Sequence, residues 1–319
     1  MAILKSMNAT PPSWDLYRSF LAVLRDGSLS AAARTLGLTQ PTLARHVAAL
    51  EEAVGGALFV RSPQGLEPTD AAQALKTQAE ALESAAAALW RTAAGLSRAD
   101  GVADPVRGPV RVTASEVTGA RVLPPILAAL RAAHPALVIE LVLSNRVDNL
   151  LQRDADIAVR MVEPEQQALV VRKIGSVALG LHAHRDYLDR HGRPQTLADL
   201  SGHSLIGYDR PSPAIRAMGR RFPGFLDLPF ALRTDSDLAQ LAAIEAGFGP
   251  GVCQVRLARR NPALVRLLPD ALELSLGVWI AMHEDLRSTP RCRAVFDGLV
   301  AGLSAYVAES GGESNGNAA

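Results

Sequence analysis

The chain has 319 residues, with 33 Lys and Arg against 32 Asp and Glu and a formal net charge of +1. With 48% hydrophobic and 20% charged residues, it is neither disordered nor collagen-like nor disulfide-stapled, and it is long enough for two or three domains with substantial cores. Near-neutrality argues against a strongly basic nucleic-acid binder, and no apolar run reaches the length of a membrane span.

Residues 1 to 12 show no periodic pattern and are expected to fray. From Ser28 to Val47 the sequence predicts two helices joined by a tight turn. Ala31 to Ala33 are small enough to let a second helix approach, and Gly37 supplies a left-handed end to the first helix. Thr39 is placed to cap the second helix, with Pro41 in its first turn, where backbone N–H groups have no helical partner. Leu43, Val47, Leu50 and Val54 then fall three or four apart and predict one buried stripe, leaving Gln40, Thr42, Arg45 and His46 on or near the exposed face. Such a helix presents its first-turn side chains to base edges in a major groove. The same spacing also suits an ordinary helical hairpin whose polar face meets water. The residues after Val54 favour the DNA reader: Gly55-Gly56 ends the helix, Leu58 to Arg61 starts a strand, Pro63-Gln64-Gly65 turns, and Leu66-Glu67-Pro68 leads back. The result is a two-stranded wing whose Arg61 can grip a phosphate.

The stretch from Phe20 to Asp70 resembles the winged helix–turn–helix of LysR-type transcriptional regulators. The resemblance rests on Phe20, Val23, Gly27, Ser28, Ala32-Ala33, Leu36, Gln40-Pro41, Leu43, Arg45, Leu50-Glu51, Gly55, Leu58-Phe59, Arg61, Leu66 and Thr69. Two positions depart from the family pattern: Ala44 stands where Ser often precedes the Arg, removing one contact, and Ala71 replaces a usual Gly. Base or groove contacts are expected from Thr39, Gln40, Pro41, Thr42, Arg45 and His46, and phosphate contacts from Ser28, Ser30, Arg34 and Arg61. Residues 1 to 66 carry Lys5, Arg18, Arg25, Arg34, Arg45 and Arg61 against Asp15, Asp26, Glu51 and Glu52. Affinity rises with the phosphates neutralised, so one copy should bind DNA poorly and a linked pair or foursome usefully.

Beyond Pro68 the pattern becomes a long Ala-rich helix to about Leu96, with Leu75, Leu82, Leu89 and Trp90 on a narrow stripe. Such a stripe fits pairing with the same helix of a second copy, and the resemblance implies a homodimer through this linker and a homotetramer beyond it. The turn-rich pairs Asp100-Gly101, Asp104-Pro105 and Gly108-Pro109 read as a hinge.

From there strands and helices alternate. Val110–Val112, Leu137–Leu143 and Asp156–Arg160 read as strands, Leu123–Ala133 as a helix, and Asn149-Leu150-Leu151 as a helix start. A second unit begins near Ala168 with a strand-rich stretch to His182, a helix closing at His191-Gly192, a helix–strand step to Tyr208, a strand Ala231–Ser236, a helix Leu238–Ala246 and Val252–Val255. A strand at Leu276–His283 and a helix Arg291–Tyr306 return to the first unit. Alternation of this kind argues a parallel sheet with ligands at its carboxyl ends, and a chain that leaves one lobe, builds a second and returns makes a hinged clamp. This half resembles the LysR-type effector domain, itself similar to periplasmic solute-binding proteins, through Leu123-Pro124, Asp156–Arg160, His191-Gly192 with Pro194, Ala246-Gly247-Phe248-Gly249 and Arg291–Val295.

The expected fold class is therefore α/β with an all-α-type winged N-terminal domain. Its parts are a DNA-binding domain at 13–69, a linker helix at 70–97, a hinge at 98–108, a two-lobed effector domain at 109–306 and a disordered tail at 307–319. Lobe I spans about 109–163 and 270–306, and lobe II about 164–269. Strand ends and helix starts facing the cleft supply Thr113, Ser115, Glu116, Ser144, Asn145, Arg160, Thr234, Asp235 and Ser236 as effector contacts. Several of these sit where a helix needs a cap in any case. The resemblance implies control of operator DNA by a small-molecule effector, with RNA polymerase as a further partner.

No catalytic residue, cofactor or metal is expected. His182, His184, His191 and His203 are scattered near turns, and Gly-x-Ser-x-Gly, HExxH and phosphate-cradling loops are missing. Cys253 and Cys292 lack metal spacing and read as buried thiols rather than redox sensors. A transport component would share the two lobes but would need export and would have no use for the wing. With no secretory apolar region at its start, a cytoplasmic location is expected.

Overall fold

A computed structural model describes residues 11–62, 65–96, 106–145, 155–164, 169–220, 222, 224–272 and 274–311. They form two compact units, one within residues 1–93 and one within 94–319. The expected turn at Pro63-Gln64, nearly all of the hinge and the helix start at Asn149 lie outside the described residues.

In the first unit, α1 (Trp14–Asp26) ends at Gly27, whose φ of 67° lets its amide reach Val23. Ser28 caps α2 (Leu29–Leu36) by accepting from the Ala31 amide at 3.2 Å, and Gly37 ends it in the left-handed region. Thr39 caps α3 (Gln40–Val54) through the Thr42 amide at 3.3 Å. Each cap contributes about 1 kcal/mol, enough to place a helix end to the residue. Leu43, Val47 and Leu50 point inward as expected, on Phe20, Leu21 and Val23 of α1 and on Ala32 and Ala33 of α2. Val54, expected in the same stripe, is 43% exposed because the helix stops at Gly55 before anything covers it.

The wing is β1 (Phe59–Ser62) paired antiparallel with β2 (Gly65–Pro68), Arg61 opposite Leu66. Two contacts outside the strand pair fasten it. Glu51 of α3 accepts from the Leu58 and Phe59 amides at 2.7 and 3.3 Å. Leu66 donates to the Gly27 carbonyl at 3.0 Å, so close that a Cβ on Gly65 would sit 2.8 Å from that oxygen. The linker helix α4 (Asp70–Leu96) buries Ala72 and Ala79 against α1, and Arg25 pairs with Glu83 across the same contact. Leu82, Leu89 and Trp90 further along are 42%, 71% and 76% exposed.

The second unit is built on one sheet. β3 (Gly108–Ala114), β4 (Leu137–Leu143) and β5 (Ile157–Arg160) are parallel, with α5 (Leu123–Ala133) between the first two. The parallel pairing expected of these strands holds, but the rest of the sheet is antiparallel. β6 (Leu169–His184) and β11 (Leu274–His283) run antiparallel along ten paired positions, and β5 is antiparallel to β11. The cause is topological: β6 carries the chain out to the second lobe and β11 brings it back, so the two must point in opposite directions. Ile174 of β6 is the extra residue of a bulge, between Gly175 opposite Val278 and Lys173 opposite Trp279.

Lobe I packs Val110, Val112, Ile157, Ile280 and Leu123 against α10 (Pro290–Gly311). That helix runs past the expected end at Tyr306, because Val307 packs onto Gly175, where a Cβ would meet its Cγ1 at 2.5 Å. Lobe II adds α6 (Arg185–His191), β7 (Leu205–Gly207), α7 (Pro213–Gly219), β8 (Phe230–Arg233), α8 (Asp237–Glu245), β9 (Gly251–Gln254), α9 (Val255–Ala258) and β10 (Leu264–Leu267). β9 and β10 extend β6 antiparallel, and β7 pairs β8 in parallel. The expected strand at 231–236 stops at Arg233, because Ser236 turns out to cap α8 by accepting from the Ala239 amide.

Candidate functional site

Two surfaces carry chemistry. On the first unit, Ser30 and Arg34 are exposed along α2, Gln40, Pro41 and Arg45 are exposed on α3, and Arg61 is exposed on the wing. Among the described residues no side chain pairs with Arg34, Gln40, Arg45 or Arg61. Ser28 and Thr39 spend an acceptor on their caps, and the Thr42 hydroxyl meets that of Thr39 at 2.8 Å. His46 leaves this face: it is half-buried, with Nδ1 2.8 Å from the hydroxyl of buried Ser19 on α1. The helical period places it at the edge of the exposed face, and Ser19, 27 residues away, draws it inward.

In the second unit, the residues expected at the cleft separate into two groups. Thr113 and Arg160 are buried in the sheet of lobe I, 2% and 1% exposed, with Arg160 donating to the Thr113 hydroxyl at 3.0 Å and to the Val159 carbonyl at 3.1 Å. Neither faces an open cleft. Thr113 stands opposite Ala158, two residues before Arg160, so the pleat puts all three on one inner face. Burial brings the Arg160 guanidinium down to about 10, still charged at neutral pH, and its Nε has no partner among the described residues.

The other group bridges the lobes. Glu116, at the start of the helix after β3, accepts from the Ser236 hydroxyl at 2.8 Å and the Leu238 amide at 3.3 Å, and so helps cap α8 in the opposite lobe. Asn145 accepts from the Glu116 amide at 3.0 Å and donates to Asp237 at 2.9 Å. Asp237 also accepts from the Tyr208 hydroxyl at 2.8 Å. Nearby, Arg121 pairs with Glu245. Ser144 and Ser115 are held by their amides to Ala114 and Val159, the Thr234 hydroxyl accepts from the Ser236 amide, and Asp235 accepts from the Arg210 amide at 2.7 Å. Burial pushes Asp237 above the usual carboxylate range, with Glu116's charge adding to it, against the pull of the Tyr208 and Asn145 hydrogen bonds. Burial and the facing carboxylates of Asp237, Asp235 and Glu116 likewise push the Tyr208 phenol upward, so it donates as a neutral hydroxyl. The sequence reading does not single out Asp237 or Tyr208. An Asp directly after a capping Ser is the available signal, but both its partners are distant in sequence.

The histidines and cysteines are spent on structure. His182 is 2% exposed, bonds the Gly180 carbonyl at 2.8 Å and sits 3.4 Å from Cys253; burial lowers it to about 4 and pushes the Cys253 thiol up to about 12. Such a thiol is a poor nucleophile, and Cys292 is buried in the lobe I core. His184 caps α6, His191 stacks on Tyr187, and His203 meets the Tyr187 hydroxyl at 3.2 Å. Among the described residues no helix is long and apolar enough to cross a membrane.

A winged helix–turn–helix joined to a two-lobed α/β binding unit defines a class of ligand-responsive DNA-binding proteins. Residues 103–304 match the family described as LysR substrate binding domain, and residues 14–73 match the bacterial regulatory helix-turn-helix protein, lysR family. The chain belongs to the LysR-type regulator family. It is 30% identical over 192 residues to the HTH-type transcriptional regulator CrgA of Neisseria meningitidis, an alignment covering 60% of this chain and 62% of CrgA. It is 29% identical over 301 residues to the HTH-type transcriptional regulator CbbR of Xanthobacter flavus, covering 90% and 88%. In fold it is similar to full-length CbnR complexed with its target DNA, with a TM-score of 0.64, 22% identity and coverage of 91% and 99%.

Proposed function

We propose that this chain is a transcriptional regulator. Its first unit reads double-stranded operator DNA, and a small-molecule effector acting on the two lobes controls that binding. The observation that carries the reading is the unpaired row on α3 and the wing. Gln40 and Arg45 project from a helix capped at its groove-facing end, with Arg61 exposed on the wing and Arg34 on α2. The DNA-binding domain spans 13–69, the dimerisation helix 70–97, the hinge 98–108 and the effector domain from 109 to the end of α10.

Few arginines face the DNA on one copy, so useful affinity requires a dimer. The exposed Leu82, Leu89 and Trp90 support pairing of α4 with its counterpart in a second copy. A tetramer, contact with RNA polymerase and residence in the cytoplasm follow from the family's way of working, and no catalytic step is assigned to any residue. An effector entering between the lobes must exchange with the Glu116–Ser236 and Asn145–Asp237 bonds, and so shifts the lobes between arrangements.

The test is a fluorescence-anisotropy titration of the full-length protein against duplex fragments from its own genomic neighbourhood, at one fixed salt concentration. Arg45→Ala should weaken specific binding by about 1–3 kcal/mol and leave the melting temperature unchanged. Equal affinity of the two proteins for every fragment refutes the assignment.

A further inference from the structure

Lobe II holds a half-open cavity of about 200 Å³ that no residue expected at the cleft from the sequence lines. Its floor is Leu179 and Leu274 from the long strand pair, and its walls are Ile215 of α7 with Phe222, Phe225 and Phe230. Phe230 lies flat on the backbone at Gly207, where a Cβ would come within 2.4 Å of its ring. An apolar cavity of about 150 Å³ lined by such residues holds a benzene ring, so this one has room for a ring and a small head group.

Polar groups at the rim set the character of that head. Gln240 spends its amide on the Thr234 carbonyl at 2.9 Å, Asp209 sits 3.5 Å from Arg210, and Tyr208 donates to Asp237. Arg233 alone of the lining side chains brings a charge with no partner among the described residues. We infer that lobe II holds a binding site for a small carboxylic acid with one ring-sized apolar body, its carboxylate on Arg233 and its ring among Ile215, Phe225 and Phe230.

Occupancy of this site bears on the lobes directly. Tyr208 lines the cavity, its hydroxyl donates to Asp237, and Asp237 accepts from Asn145 of lobe I. A ligand seated against Tyr208 touches the first of three successive groups that end across the cleft. The inference rests on the effector-controlled reading above and gives it a ligand class and an anchoring site within one lobe.

The experiment uses the full-length protein and three rings of one size: benzoate, benzyl alcohol and benzylamine, titrated by ligand-observed NMR. Benzoate is expected to bind saturably and roughly tenfold more tightly than benzyl alcohol, with benzylamine unbound. Arg233→Gln, at an exposed side chain that leaves folding intact, should erase the preference for benzoate. Ile215→Trp fills the cavity and should abolish binding of every ring. Equal binding of the three rings, or titrations unchanged in both variants, overturns the proposal. An operator titration with a small-molecule fraction of cell extract separates the two readings. A response identical in wild type and Ile215→Trp removes the cavity and leaves the regulator standing, whereas failure to bind any operator removes the regulator reading itself.

Discussion

The α3 face and the cleft between the lobes are both polar, yet they treat their polar groups in opposite ways. On α3 and the wing, Gln40, Arg45 and Arg61 make no hydrogen bond or ion pair with another side chain among the described residues, while in the cleft Glu116, Asn145, Ser236 and Asp237 pair with one another. A surface meant for a polyanion leaves its cations unpaired because the phosphates supply the counter-charge. A hinged cleft gains from pairing its own groups, each hydrogen bond adding about 0.5–1.5 kcal/mol to one lobe arrangement. Substitutions on α3 should therefore change DNA affinity without changing stability, and substitutions in the cleft should change the stability of the second unit.

The largest effect expected of any change lies on neither surface but on α4, the pairing element proposed above, through which a second copy would double the α3 face. Leu89→Glu combined with Trp90→Glu places two carboxylates on the exposed stripe. If α4 pairs there, the variant runs as a monomer in light scattering and binds operator at least about 100-fold more weakly, the avidity being lost. A dimer of undiminished affinity would remove α4 as the pairing element and leave the α3 face to account for binding alone.

Acid separates the second unit from the first. His182 is neutral and buried, and its folded value of about 4 lies below its ordinary 6.5. The unfolded chain therefore takes up a proton at a pH where the folded chain does not. The stability this group confers is complete above about pH 6.5 and is lost as pH falls toward 4, by about 3 kcal/mol in all. Hydrogen exchange at the Gly180 and Cys253 amides, which lie in the β6–β9 pair beside His182, reads this loss. In His182→Gln, which can still donate to the Gly180 carbonyl, the pH dependence should flatten by that amount; an unchanged slope would place the acid sensitivity elsewhere.

These contrasts track how far each region is legible in the sequence. In the first unit the helix–turn–helix and the wing can be read because their signals are local: Gly37 and Gly55 each end a helix with positive φ, and Thr39 caps one three residues ahead. The helix α1 and the Ser28 cap carry signals of the same kind but are absent from the sequence-based expectation. The misreadings there, His46 and Val54, are positions whose fate depends on what another element does. In the second unit, alternation reveals the α/β class and the returning strand. It does not reveal that β6 and β11 pair antiparallel, because strand direction follows from where lobe II is inserted. The pattern rightly puts Thr113 and Arg160 near strand ends, but the pleat turns them inward. The segment from Asp209 to Pro229 carries prolines and arginines without period, and it builds one wall of the lobe II cavity. Nothing local announces a cavity whose floor comes from Leu179 and Leu274.

The finest distinction lies between two ionic contacts of the cleft itself. The Glu116 carboxylate is half-buried, accepts from both the Ser236 hydroxyl and the Leu238 amide, and lies at the positive end of α8. Arg121 and Glu245 pair in the open, with 47% and 26% of their side chains exposed. Desolvation decides the difference. Glu116→Ala leaves a helix-end amide and a hydroxyl short of an acceptor and should cost about 1–3 kcal/mol in denaturant unfolding of the second unit. Arg121→Ala removes a pair that water already screens and should cost no more than about 1 kcal/mol, falling further as salt is raised. Equal costs for the two variants, or a larger one for Arg121→Ala, would mean that the lobes are held by the exposed ion pair and that the Glu116 cap belongs to α8 alone.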